Sequence, residues 1–182
     1  MKFLIFSLLA ISLNAFAAPC GGSQVGFWTN PDGSRGGSVG KDAKVQAGAI
    51  ISPQAEVCEF AQVKAGAQIL GQASIAGRAV ISAGAVIEGK AKVLGEAKIG
   101  GGGATTKVGG EATVEGSASI TGASHVFSRA KVGGGAKVHN SIICQASVIE
   151  GISVNNSVYY CQTEDPEPEH PGEVGKTTVL GV

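Results

Sequence analysis

From Ala43 to Ile99 the chain reads AKVQAG AIISPQ AEVCEF AQVKAG AQILGQ ASIAGR AVISAG AVIEGK AKVLGE AKI, with alanine at every sixth residue and valine or isoleucine two places after each alanine. Side chains two apart on a strand point the same way, so Ala43 and Val45, Ala49 and Ile51, and their successors face one side. The residues between them, among them Lys44, Glu56, Gln62, Gln68, Ser74, Lys92 and Lys98, face out and are mostly polar. Each hexad is therefore one short strand and one bend. A longer period lies over the first: Ala47-Gly48-Ala49, Ala65-Gly66-Ala67 and Ala83-Gly84-Ala85 recur at every third hexad, so three hexads close one triangular coil. Coils stacked by parallel hydrogen bonding at about 4.8 Å set Ile51, Ile69 and Ile87 in one column of the core. Alanine belongs beside that column because three walls meet close to it. The composition agrees, with 29 glycines and 5% aromatics, since rings do not fit so narrow an interior.

Working outward, the register slips where Gly100 to Ala104 insert about three residues, and resumes at Val108, Val114, Ile120, Val126, Val132 and Val138. A shortening precedes Ile142, Val148, Val154 and Tyr160. The sites amount to about 20 hexads, six to seven coils and a rod roughly 32 Å long. The pattern resembles the bacterial hexapeptide-repeat proteins, whose motif is an aliphatic residue, three looser positions, a small residue and one more. Val45 to Ile50 fits it, as do the hexads that follow. The resemblance implies an all-β, left-handed parallel β-helix, a triangular solenoid with about 18 residues per coil. Handedness rests on the resemblance alone, because parallel crossovers in general are right-handed.

The first residues, Met1-Lys2, an apolar run from Phe3 to Leu13, then Asn14-Ala15-Phe16-Ala17, have the layout of a cleaved secretory signal. The run is shorter than the roughly 20 residues of a membrane helix, and Pro19 before Cys20 disfavours a lipid anchor. The expected organisation is a signal peptide at 1–17, an N-terminal cap or linker at 18–42, the β-helix at 43–162 and an acidic, proline-rich, largely disordered tail at 163–182. An exported product, periplasmic, on the cell surface or secreted, follows. Open β-helix ends expose core and strand edges, so Phe27 and Trp28, followed by the turn signal Asn30-Pro31-Asp32-Gly33, are expected to plug the N-terminal end.

Four cysteines in an exported chain suggest two disulfides. Cys58 and Cys144 stand almost five coils apart, about 23 Å by stacking distance, well beyond the ~7 Å reach between bridged Cα atoms. Cys144 and Cys161 are one short of a coil, which leaves Cys20 for Cys58.

The charge balance, 14 basic against 14 acidic residues without a basic run, argues against nucleic acid. Many hexapeptide-repeat proteins are acyltransferases that use a histidine as general base. This chain offers His125 and His139 as candidates, both facing out beside Val126 and Val138, which are two hexads apart and so on different walls, and His170 in the tail. Ser141, beside Asn140 and His139, is the nearest candidate nucleophile, although adjacent strand residues face opposite ways. There is no C-x-x-C pair, no phosphate-binding glycine loop and no histidine trio, so neither cofactor nor metal is expected. Ile50, Leu70 and Val86 form an exposed apolar stripe that suits a homotrimer or homodimer. Three readings follow: first a structural or adhesive rod of the cell envelope, then a module binding a cell-envelope glycan or protein through one wall, and last an acyltransferase-like enzyme.

Overall fold

The computed structural model describes residues 20, 25–101, 103–145 and 147–158. Strand β1 (Val25–Thr29) turns back through Asn30-Pro31-Asp32-Gly33 into β2 (Arg35–Gly40), and the two pair antiparallel. From β2 onward every pairing is parallel. The strands after it, β3 (Lys44–Val45), β4 (Ile50–Ile51) and their successors, are two or three residues long and are dealt in turn to three sheets of eight, seven and six strands. The result is an all-β solenoid with about 18 residues per coil and no α-helix among the described residues.

The three sheets form three walls. The first holds β1 and β2 and the column Val39, Val57, Ile75, Val93, Val114, Val132 and Ile149. The second begins at β3 and stacks Val45, Val63, Ile81, Ile99, Ile120, Val138 and Val154. The third begins at β4 and stacks Ile51, Ile69, Ile87, Val108, Val126 and Ile143. From Ile51 to Val114 both the alanines and the branched residues of these columns are at most 1% exposed. Burying branched side chains in register is what holds so thin a rod together, at roughly 1.5–3 kcal/mol for each fully buried Val or Ile.

The solenoid starts upstream of residue 43. Ser38 pairs with Glu56 and Val39 with Val57, so the second half of the expected cap or linker is already the first rung. Both slips in the repeat are absorbed without breaking the columns. Across the glycine insert Val86 pairs with Lys107, later in the chain than the regular interval would place its partner. In the last coils the partners come early instead: His125 pairs with Ile142, and Lys137 with Ser153.

From the lengthened coil onward the small core position beside the third wall changes from alanine to a hydroxyl residue. Thr106, Ser124 and Ser141 stand there, all buried. Ser124 Oγ donates to Thr121 O (2.6 Å) and accepts from Ser141 N–H (3.2 Å). Ser141 Oγ repeats this, donating to His139 O (2.7 Å) and accepting from Ser157 N–H (3.1 Å). A corner with fewer residues cannot satisfy every backbone donor from its neighbouring coil, and the serine ladder supplies the missing acceptors.

Candidate functional site

The described residues present two features with functional potential: the closed N-terminal end and the outer walls. At the end, strand edges are the problem to be solved, because the first coil has no coil before it. The first wall is covered by β1. On the third wall, Asn30 works as a one-residue strand. Its Oδ1 accepts from Ile51 N–H (2.9 Å) and its Nδ2 donates to Ile51 O (3.2 Å) and to Ser34 Oγ (3.1 Å). Trp28 Nε1–H donates to Ala49 O at 3.1 Å, and the ring packs on the core. Gly36 and Gly37 bring β2 close across the opening; a Cβ on Gly36 would lie 2.7 Å from Ile51 O, and one on Gly37 would run into Ala55 O.

The expected aromatic plug of Phe27 and Trp28 is therefore corrected to Trp28 alone. Neighbours on a strand face opposite ways, so once Trp28 points at the core, Phe27 must point out. It is 59% exposed, with the Arg35 guanidinium 3.8 Å from its ring centroid. Asn30 escaped the sequence reading because it carries a turn signal and its second role needs the third wall in place. The glycine pair after Arg35 was the available hint, since Gly-Gly within a strand marks close backbone approach.

Cys20 and Cys58 are joined by a disulfide, with Cα atoms 5.2 Å apart. It ties residue 20 to the first wall, where Cys20 N–H also reaches Glu56 Oε2 (3.4 Å). Cys144 is fully buried; Cys161, its expected partner, lies outside the described residues, as do Tyr160, His170, the signal segment and the tail.

The histidines stand on different walls: His125 on the third, His139 on the second. His139 Nδ1 lies 3.0 Å from Thr121 Oγ1, both on exposed surface. Ser141 is buried, and its hydroxyl is engaged within the serine ladder rather than with His139's ring. Among the described residues no three His, Cys, Asp or Glu side chains group to hold a metal, and no helix is long and apolar enough to cross a membrane.

The apolar stripe is broken up by the register. Ile50 and Val86 share a column but Gln68 stands between them, and Lys107 follows. Leu70 stands in the adjoining outward column, two residues beyond Gln68 on the rung between Ile50 and Val86.

The walls differ in charge. The first mixes signs: Lys131 Nζ sits 2.9 Å from Glu115 Oε1 and 4.0 Å from Glu150 Oε1. The hydrogen bond to Glu115, then its charge, raise the Lys131 pKa above the usual lysine value. The third sets Glu88 one rung from Lys107. The second carries Lys44, Lys64, Lys98 and Lys137.

Compared with protein-family models, with curated proteins and with solved structures, the chain returns no match.

Proposed function

We propose that this protein is an exported structural rod of the cell envelope, built from hexapeptide repeats wound left-handed, whose product is the rigid solenoid itself. The observation that carries the reading is the latched N-terminal end. Strand β1, the Asn30 and Trp28 hydrogen bonds and the Cys20–Cys58 bridge close the first coil, and a disulfide persists in an oxidising compartment rather than a reducing one. A regular core with its open end sealed serves persistence. The outward histidines lie on separate walls and lend no support to general-base catalysis.

Cell fractionation of the full chain tests this. The expected result is a product beginning near residue 18, outside the cytoplasm, with Cys20 resistant to thiol alkylation until reductant is added. Recovery of an uncleaved chain in the cytoplasm with Cys20 alkylated at once would overturn the reading.

A further inference from the structure

Folding collects four lysines that the sequence scatters. In the second wall Lys44, Gln62, Val80, Lys98, Ser119 and Lys137 follow one another in a single outward column. Lys64 stands in the adjoining column, its Nζ 3.3 Å from Gln62 Oε1. Five rung spacings of about 4.8 Å separate Lys44 from Lys137, so the cationic line runs about 24 Å along the rod. From Lys44 to Asn155 no carboxylate occupies either outward column of this wall. The bends toward the third wall, such as Ala47-Gly48 and Ala65-Gly66, are uncharged.

Acids do lie on the opposite corner, and two are engaged there: Glu59 accepts from Gly77 N–H (2.7 Å), and Glu96 lies 4.0 Å from Arg78. Asp42 is the third. Among the described residues none of the four lysines forms an ion pair, whereas Arg78, Lys90 and Lys131 do. A surface of one sign without internal partners attracts the opposite charge from solution.

We propose that the second wall binds an acidic polysaccharide laid along the rod axis. The lysines are too far apart to converge on one small anion, and their straight spacing suits an extended polyanion. Between them the wall offers hydroxyl and amide groups, Gln62, Ser119 and Thr121, that match sugar hydroxyls. Among the described residues the outward columns of this wall carry one ring, the His139 imidazole, and no Phe, Tyr or Trp to stack successive bases, and Val80 is the one apolar side chain in the lysine column, too little for insertion into a lipid surface. The ligand adds to the scaffold reading without depending on it, since binding is measured on the purified chain wherever the cell keeps it.

The test is affinity electrophoresis of the mature full-length protein through gels containing polygalacturonate or the neutral polymer dextran, with folding of every variant checked by circular dichroism. Polygalacturonate should retard the protein, dextran should not, and added salt should abolish the retardation. K98E/K137E should weaken binding roughly tenfold or more. K92E/K107E, the same charge change on the other two walls, should weaken it by no more than about twofold. Equal loss in both double variants would reduce the effect to net charge and overturn the assignment. So would full retention by K98E/K137E, equal retardation in dextran, or tighter binding of a single-stranded oligonucleotide competitor.

Discussion

At the residue scale, two positions carry more than their type suggests. Asn30 presents a side-chain amide to both backbone groups of Ile51. Asn30→Ala leaves a buried N–H and a buried C=O without partners, which costs about 1–3 kcal/mol. Urea unfolding should show that loss, while Ser34→Ala, which removes a more exposed contact, should change little; equal midpoints for the two variants would deny Asn30 its edge-sealing role. Gly77 sits at φ +75°, and an added Cβ would stand 2.5 Å from Gly95 O, the backbone of the next coil. Gly84 has the same φ, +75°, but open space where the Cβ would go. Both alanine substitutions incur the left-handed penalty of about 1 kcal/mol. Gly77→Ala must also push two coils apart, so its melting temperature should fall clearly below that of Gly84→Ala.

At the scale of elements, the hairpin of β1 and β2 is joined to the first coil by hydrogen bonds and by a bridge whose cysteines are 38 apart in the chain. A loop of that length is worth at most about 4 kcal/mol in the chain-entropy account. Replacing Cys20 and Cys58 with serine should lower stability by up to that amount and leave the circular dichroism spectrum of the solenoid unchanged. A spectrum that collapses with the bridge would mean that the coils depend on it to form. The repeating strands were legible from the sequence because each declares itself within a single hexad: an alanine, an outward residue, a branched residue. The hairpin was not. Its alternation decides that Trp28 goes in and Phe27 goes out, and nothing local to Phe27-Trp28 chooses between them. The cationic wall was hidden for another reason. Lys44, Lys64, Lys98 and Lys137 lie at unequal intervals along the chain, and the last interval spans the glycine insert. Only the pairing of Lys98 with Ser119, and of Ser119 with Lys137, brings Lys137 into the column of Lys44 and Lys98, with Lys64 in the adjoining one.

At the scale of the whole molecule, a rod is vulnerable at its ends. A mature chain shortened to begin at residue 38 would keep its coils but expose Ala49 O and both Ile51 backbone groups to other molecules. Light scattering should then report end-to-end association that grows with concentration; a monodisperse, folded monomer would show that the hairpin is dispensable for sealing. The unequal coils have a consequence of a different kind. A chain of interchangeable turns can wind correctly everywhere and still be wrong, with one turn skipped and all the later ones displaced, because each alanine and isoleucine fits its neighbour's place. The lengthened turn after Val86 and the shortened ones that carry the serine hydroxyls are not interchangeable with anything else in the rod. They act as landmarks, giving each turn an address and making a skipped turn detectable by the unpaired backbone it would leave.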